Sequence, residues 1–449
     1  MNKHIMLLCT TLFSMQSVYA MDLKEALSSA YKTNENWKYS QQRFLLEAEE
    51  FPQALAGFLP DISMDIGSNT QKQTTVGISS AESGPDVSRS ISVRQNLFNG
   101  GRSAYALKIA QAGFLASKAT LYSAEQKILI DALTAYLGVC GAKEKYAISI
   151  TAVAFYAQAL EMAQEQLKVG EATITDVAAA KAQVARAESN KSQQFADLLS
   201  SQATFKTVIG VDAPDDITFP DAPNDLPETI EHFKDVVEKS NFELMAAKSK
   251  MTQSKDAVKS TQSALLPRVD LAISEGNNYY DSSTPNNPRS TNRSVNTTVS
   301  VKIPILSNGG TDHSRIRQSK AQSRQAVYAL DYTQKDLRAK TISAWEVFIS
   351  KKDSMTSAEE ATKSQTLALD GIRSEYSVGT KTMLEVLRQQ DQLNQIKSQA
   401  VDIKIQYLTY AYQLKALMGQ MTAKQLKLDV QYFNPDYEFR NVKHKIVGF

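Results

Sequence analysis

The stretch "KVGEATITDV", residues 168–177, returns 209 residues later as "SVGTKTMLEV", residues 377–386. Both copies lie inside long segments of helical pattern. Each has a glycine, a threonine three residues on and an acid three residues after that: Gly170, Thr173 and Asp176, then Gly379, Thr382 and Glu385. Glycine suits the left-handed position just past a helix C-terminus, and Thr-x-x-acid is the capping box that begins a helix. Each copy therefore predicts a tight hairpin between two helices.

Further matches flank these two motifs in the same order. "GFLPDISMDIG" in the first half matches "ALLPRVDLAISEG" in the second, and "SVRQNLFNGGRS" matches "SVKIPILSNGGT". We therefore predict a tandem internal repeat, with copies over residues 21–210 and 229–420. Residues 211–228, rich in proline and aspartate, form the predicted linker between them. Residues 421–449 form a C-terminal segment to which the sequence assigns no role.

Each copy is expected to contain two β-strands. Apolar and polar residues alternate with a period of two, as where Ile62, Met64 and Ile66 are separated by Ser63 and Asp65. This alternation is typical of a strand with one apolar and one polar face. The predicted strands cover about 61–70 and 87–98 in the first copy, and about 268–278 and 293–304 in the second.

Long helices follow the strands in each copy. Residues 86–213 and 305–434 contain no proline, and Leu107, Phe114 and Leu121 recur every seven residues. A heptad spacing indicates coiled-coil packing. The fold class is therefore mainly α with a β portion, built on long antiparallel coiled-coil helices. The predicted helices are 102–168 and 172–209 in the first copy, and 311–377 and 382–418 in the second.

Composition narrows the classes of function. Residues 1–20 have a basic start, a short apolar centre and small residues where signal peptidase cuts, which predicts a secretory signal peptide. Their removal takes away Lys3 and lowers the formal net charge from +2 to +1, so nothing suggests a nucleic-acid partner. Of the two cysteines only Cys140 remains, which excludes an intramolecular disulfide.

Catalytic and metal-binding patterns are not recognisable. The histidines His232, His313 and His444 lack the spacing of metal ligands, and no Ser-His-Asp or paired-carboxylate arrangement is identifiable. The sequence therefore predicts no cofactor, no metal site and no enzymatic activity.

Four alternating strands per chain need further partners. Two arrangements are possible: a soluble sheet covered by other elements, or a barrel assembled from several chains. Unpaired strand edges are costly in water and prohibitive in lipid, and no spare apolar helix face is available to cover the sheet. An exported chain of this kind therefore points to an oligomeric barrel, in which three chains supply twelve strands.

These motifs, in this order and in two copies, resemble the TolC family of outer-membrane channel-tunnels, over roughly residues 22–425. The resemblance implies a homotrimer with a twelve-stranded β-barrel in the outer-membrane lipid and an α-helical tunnel through the periplasm of a Gram-negative bacterium. It implies a passive exit duct of an efflux pump or type I secretion system. The partners would be a periplasmic adaptor and an inner-membrane ABC or RND-type pump.

The resemblance also assigns roles to residues of the two hairpins, which would form a closed periplasmic entrance. The gate would join Thr175 and Asp176 to Tyr376 and Lys381, where the family usually has arginine in place of Lys381. The pore constriction would lie at Glu385 and Arg388, and Arg388 departs from the family's second acid. These last two residues are spaced i,i+3, so they are also candidates to pair along one helix. The tip turns and adaptor contacts would be Val169, Gly170, Thr173, Val378, Gly379 and Thr382.

One alternative belongs to a different class. Long paired helices also suit an exported coiled-coil scaffold or a periplasmic adaptor without channel activity. The two pairs of alternating strands favour the channel over this alternative. The resemblance does not identify the exported substrate, because channels for drug efflux, protein secretion and metal export share this architecture.

Overall fold

The computed structural model describes residues 21–443 and Lys445, except residues 71, 74–80, 83–85 and 281–289. The predicted signal peptide and His444 lie outside these residues. The helices are α1 (Leu23–Thr33), α2 (Glu35–Ala48), α3 (Glu50–Ala56), α4 (Arg102–Lys168), α5 (Ile174–Ile209), α6 (Ile230–Ser240), α7 (Phe242–Gln262), α8 (Thr311–Ser377), α9 (Met383–Leu417) and α10 (Pro435–Val442). The strands are β1 (Asp61–Asn69), β2 (Lys72–Gln73), β3 (Ala81–Glu82), β4 (Asp86–Asn99), β5 (Arg268–Tyr280) and β6 (Ser290–Lys302). The described residues are thus mostly helical.

The long helices follow from the absence of proline and from the heptad pattern. Helices α4 and α8 each contain 67 residues, about 100 Å at 1.5 Å per residue. A proline interrupts the first helical segment. Helix α2 ends just before Glu49 and α3 begins just after it, three residues before Pro52. A proline ring has no N–H and crowds the carbonyl four residues back, which accounts for this break. Among the described residues, no helix combines the length and apolarity needed to cross a membrane.

Four strands form an antiparallel sheet in the order β1-β4-β5-β6. The register places Ser63, Ser92, Ser274 and Asn296 in one row across all four strands, on the polar face. The neighbouring rows, on the opposite face, are mainly apolar. Apolar side chains that are 62–68% exposed on this face are Ile62, Met64, Ile66, Val295, Val299 and Val301. The sheet is therefore amphipathic, and its apolar face is open to its surroundings.

Strand β6 ends two residues earlier than the alternation predicts. The expected strand extends to residue 304, whereas β6 ends at Lys302. Pro304 has no N–H to donate to a ladder, so pairing stops before it. Strand β5 instead extends two residues past its expected end, to Tyr280 opposite Ser290.

The chain forms two compact units that do not coincide with the two predicted repeats. The hairpin unit comprises residues up to Lys38, Ala124–Lys239 and Lys340–Tyr432, and the sheet unit comprises Tyr39–Ser123, Ser240–Ala339 and Phe433 onwards. Helices α4 and α8 each contribute to both units, so each unit contains residues of both predicted copies.

The C-terminal segment, which the sequence left unassigned, packs within both units. In the sheet unit the Phe439 ring of α10 stacks on Phe114 at 3.9 Å and meets Phe51 edge-on at 5.1 Å. The Lys118 ammonium holds the Asp436 carboxylate at 2.7 Å. In the hairpin unit Ala423, which is 1% exposed, belongs to the core. Residues 421–443 are therefore an integral part of the fold.

A buried carboxyl group holds the start of this segment. The Ala423 N–H donates a hydrogen bond of 2.7 Å to Glu125 Oε1 of α4. Glu125 is 5% exposed, and its burial raises its pKa to about 7, although the Ala423 N–H works in the opposite direction. The protonation state of Glu125 is therefore linked to the stability of this region.

Candidate functional site: the paired helical hairpins

The first hairpin turns at Gly170 and restarts at Thr173. Gly170 has φ +81°, and the Glu171 N–H donates to the Gln166 carbonyl at 2.9 Å, which closes the end of α4. Thr173 then caps α5: its hydroxyl accepts from the Asp176 N–H at 3.2 Å, while the Asp176 carboxylate accepts from the Thr173 N–H at 2.9 Å. This reciprocal pair is the predicted capping box, which is confirmed.

The second hairpin repeats this geometry. Gly379 has φ +81°, and the Thr380 N–H donates to the Glu375 carbonyl at 3.0 Å. Thr382 caps α9, with the Glu385 N–H 3.4 Å from its hydroxyl and its own N–H 2.9 Å from the Glu385 carboxylate. The space around Gly379 is empty, so the positive φ is what favours glycine there.

Both capping acids are held in the ionised form. Hydrogen bonds from the Thr173 hydroxyl and N–H hold the pKa of Asp176 below its usual value. The Thr382 N–H, then the Lys381 ammonium and the Thr382 hydroxyl, lower the pKa of Glu385 to about 2. The Glu385 carboxylate in turn raises the pKa of Lys381. Each hairpin therefore has a fixed negative charge at a helix N-terminus, where the helix dipole favours it.

The proposed gate residues do not meet within one chain. The Tyr376 hydroxyl donates to Oε1 of Gln166 at 2.8 Å, and Lys381 forms an ion pair with Glu385 at 3.0 Å. Within the described part of the chain, Asp176 bonds only to Thr173 of its own cap. Asp176 bonds to the cap of its own helix, and Lys381 bonds to Glu385 four residues further on. Both partners lie closer than the residues of the opposite hairpin. Thr175 is exposed beside Asp176.

Sequence reasoning missed Gln166. It lies one turn before Gly170, and its amide has no local pattern that marks it as a partner of Tyr376. Its position on the last turn of α4, level with Tyr376 on the last turn of α8, is the only signal. The bond ties the first hairpin to the second.

Glu385 and Arg388, candidates to pair because of their i,i+3 spacing, are not paired in this chain. Glu385 bonds to Lys381 and to its own cap, and Arg388 is exposed on α9 without an ion pair to any described residue. In a capping box the carboxylate at the third helical position reaches back to the N-cap residue, here Thr382, and so points away from a residue further along the helix.

An apolar cluster holds the two hairpins side by side. Alanines on α4 and α5 bring these helices close together, and larger side chains of α9 fill the space against them. The members are Ala152, Tyr156, Ala159, Ala163, Ala180, Ala187, Met383, Val386 and Leu387. Tyr376 packs against the cluster's edge, so its hydrogen bond to Gln166 is partly shielded from water.

The tips of both hairpins expose apolar side chains. Val169 is 70% exposed, Val378 73% and Ile174 78%. Ile174, which the sequence analysis did not select, adds to this surface. Three exposed branched side chains on two adjacent turns form an apolar tip, and such patches are typical of protein contact sites. Among the described residues, no group of His, Cys, Asp or Glu is placed to hold a metal ion.

Comparison with known proteins agrees with this architecture. A model of the family described as outer membrane efflux protein matches residues 38–211 and 235–420. The outer membrane efflux protein BepC of Brucella suis biovar 1 is 29% identical over 442 residues, covering 98% of this chain and 95% of BepC. The outer membrane protein TolC of Escherichia coli is 23% identical over 320 residues, covering 68% of this chain and 64% of TolC.

A solved structure shows the same fold. The CmeC outer membrane channel of Campylobacter jejuni superposes with a TM-score of 0.75 at 14% identity, covering 94% of this chain and 89% of CmeC. The resemblance to the TolC family is thereby confirmed, as is the location in the outer membrane, and the family is one of channel-tunnels rather than enzymes. With both matched ranges together spanning most of its length, the chain belongs to the outer membrane efflux protein family.

Proposed function

We propose that this protein is the outer-membrane exit duct of a tripartite efflux pump or type I secretion system, passive in itself and gated at its helical hairpins. The family places it in the outer membrane, and an inner-membrane ABC or RND-type pump, joined by a periplasmic adaptor, supplies the energy. The similarity to BepC, an efflux protein by name, favours efflux over secretion.

The observation that carries the proposal is the open, amphipathic sheet. Its order leaves β1 and β6 as edges in the described chain, while its apolar face is exposed. Lipid tolerates an apolar face but not unpaired edges, so the sheet has to be closed by other chains. Three chains, each pairing β6 with β1 of the next, close a homotrimeric barrel of twelve strands around a lumen.

The two-copy organisation supports the same assembly. The family model matches 38–211 and 235–420 separately, in agreement with repeats over 21–210 and 229–420 joined by the linker 211–228. With two hairpins per chain, a trimer presents six hairpins at its entrance. Six similar hairpins arranged in a ring would close or open a single central pore by moving together.

The gate residues act between chains in this proposal. Thr175 is exposed and Asp176 partly exposed, and the Asp176 carboxylate has unused acceptor positions beyond its cap. The Lys381 ammonium of an adjacent chain keeps N–H donors beyond its pair with Glu385, and the Tyr376 hydroxyl becomes a donor once its single hydrogen leaves Gln166. Glu385 and Arg388 line the constriction. The tip turns, where Val169, Gly170, Thr173, Val378, Gly379 and Thr382 lie, form the adaptor contact.

The test is to purify the mature chain in detergent and measure its mass and its single-channel conductance. We expect a trimer of small conductance. The conductance should rise in Asp176→Ala, because the Asp176 carboxylate caps α5 and, in this proposal, also binds donors of the adjacent chain that keep the gate closed. Glu161→Ala, an exposed acid on α4 away from the turn, is the matched control. A monomer that never conducts would contradict the proposal and favour the scaffold or adaptor without a channel.

A further inference from the structure

The apolar face of the four-stranded sheet has its charged residues at one end. The register places Arg89 of β4, Asn277 of β5 and Arg293 of β6 in one row on this face, and Glu275 lies in the next row toward the helices. Within the described strands of this sheet, the two arginines and Glu275 are the charged residues of the apolar face. All three side chains are exposed, so their charges face the surroundings of the sheet.

The acid neutralises only part of this positive charge. Arg293 binds Oε1 of Glu275 through Nε at 2.7 Å and through Nη2 at 2.5 Å. A guanidinium has five N–H groups, so Arg293 keeps donors after this pairing. Arg89 has neither an ion pair nor a hydrogen bond within the described part of the chain. The group therefore has a net positive charge and unused donors.

Two aromatic residues mark the ends of the apolar face. Phe98 lies beside Val269 of β5, and Tyr279 lies ten residues further along the same strand, on the same face. Ten residues at 3.4 Å per residue, in a strand tilted by about 40°, span about 26 Å along a membrane normal. Bacterial outer-membrane barrels have an apolar band about 25 Å tall between two aromatic girdles. The arginine row lies two residues inside Tyr279, where long side chains reach the headgroups.

The two ends of the face lie in different leaflets in the proposed duct. The helices continue from the Phe98 end into the periplasm, so the Tyr279 end lies at the cell surface. At the Phe98 end, Arg268 and Lys302 lie opposite each other on the polar face instead. Among the described strands, the apolar face therefore presents guanidinium groups to the outer leaflet and not to the inner one.

We propose that Arg89 and Arg293 bind phosphate groups of the phosphorylated glycolipid in the outer leaflet of the outer membrane. This inference rests on the proposed function, because it requires the apolar face to lie in lipid. A guanidinium fork matches phosphate oxygens and binds them through two hydrogen bonds. The two arginines are on the strands that flank β5, about 10 Å apart, so they engage separate phosphates.

The neutral neighbours favour a glycolipid over a phospholipid. Asn277 lies between the two arginines, and Tyr279 lies one row further out on the same face. An amide and a phenol hydroxyl both donate and accept hydrogen bonds, which suits the hydroxyl groups of a sugar. A surface with arginines for phosphates and neutral polar groups beside them therefore complements a phosphorylated sugar headgroup.

The test measures lipid binding to the purified trimer in detergent by native mass spectrometry. The probes are lipid A with its two phosphates, the same lipid after removal of both phosphates, and phosphatidylglycerol. We expect lipid A to bind more tightly than the other two. Arg89→Gln should weaken lipid A binding about tenfold, because one charge-assisted contact is lost. Binding of the dephosphorylated lipid should not change in this variant.

Two further variants separate the site from a general effect of charge. Arg94→Gln makes the same change on the polar face of the same strand, and it should bind lipid A as wild type does. Glu275→Gln removes the acid that occupies Arg293, so it should tighten lipid A binding. Loss of an ion pair with a purely structural role would not produce this increase, and weaker binding in Glu275→Gln would contradict the role of Arg293.

The mass and the conductance of the same samples separate failure of this inference from failure of the proposed function. A conducting trimer that binds lipid A and phosphatidylglycerol equally overturns the glycolipid site and leaves the duct standing. The same holds if Arg89→Gln and Arg94→Gln behave alike. A chain that neither assembles nor conducts overturns both, because its apolar face then has no reason to lie in lipid.

Discussion

The Tyr376 hydroxyl donates a 2.8 Å hydrogen bond to the side-chain oxygen of Gln166 and so joins α8 to α4 within one chain. Each residue lies in the last turn before a hairpin and is half-buried, and Tyr376 packs beside the apolar cluster. A motion that separates the two hairpins has to break this bond, whereas a motion of both hairpins together keeps it. The bond therefore distinguishes two ways in which the proposed entrance would open.

Tyr376→Phe is expected to loosen the hairpin pair. The change removes only the hydroxyl, and a hydrogen bond of this kind contributes about 0.5–1.5 kcal/mol. Amide hydrogen exchange in the last turns of α4 and α8 should accelerate accordingly, and Gln166→Leu should add little more. Tyr407→Phe is the matched control, because the Tyr407 ring of α9 stacks on Phe348 of α8, away from the hairpin turns. Equal exchange in Tyr376→Phe and wild type would show that the bond does not hold the hairpins.

Thr173→Ala is expected to fray the start of α5. Loss of an N-cap threonine costs about 1 kcal/mol, and here it also removes a donor to the Asp176 carboxylate. Exchange of the first-turn amides of α5 should accelerate by about fivefold to tenfold, measured by mass spectrometry. Thr175→Ala, two residues on and exposed, should leave exchange unchanged. If the two variants behave alike, the cap does not stabilise this turn.

The stability of the hairpin unit should fall as pH rises from about 4.5 to 7. Burial raises the pKa of Glu125 to about 7, so in this window the folded chain binds a proton that the unfolded chain has released. The protonated Glu125 side chain makes its full contribution to the free energy of unfolding below pH 4.5. This contribution amounts to about 3 kcal/mol and is lost as pH rises through 7.

Glu125→Gln removes this titration and keeps an oxygen for the Ala423 N–H. Thermal unfolding midpoints measured from pH 4 to 8 should therefore vary less with pH in Glu125→Gln than in wild type. Glu161→Gln, at an exposed position of the same helix, should retain the wild-type profile. Parallel profiles for wild type and Glu125→Gln would exclude Glu125 as the source.

Features that depend on residues only a few positions apart in the sequence could be predicted. Each hairpin depends on a glycine, a threonine and an acid within seven residues, and α4 has the bounds expected from sequence, 102–168. Contacts between distant segments could not. Gln166 and Tyr376 are 210 residues apart, and no periodic pattern in the sequence predicts the packing of Phe439 on Phe114. Pairing of this kind depends on which helix faces meet, which only the assembled fold decides.

Arg388→Asp is expected to make the channel more cation-selective. Arg388 is exposed on α9 one turn after Glu385, and it is not neutralised by that acid, whose carboxylate binds Lys381 and its own cap. A cation at a constriction repels cations, and an aspartate there would add a second negative charge beside Glu385. The reversal potential in a salt gradient across a planar bilayer should shift toward the cation value. Lys352→Asp, the same charge change at an exposed position of α8, is the control. An unchanged reversal potential in Arg388→Asp would show that Arg388 does not line the pore.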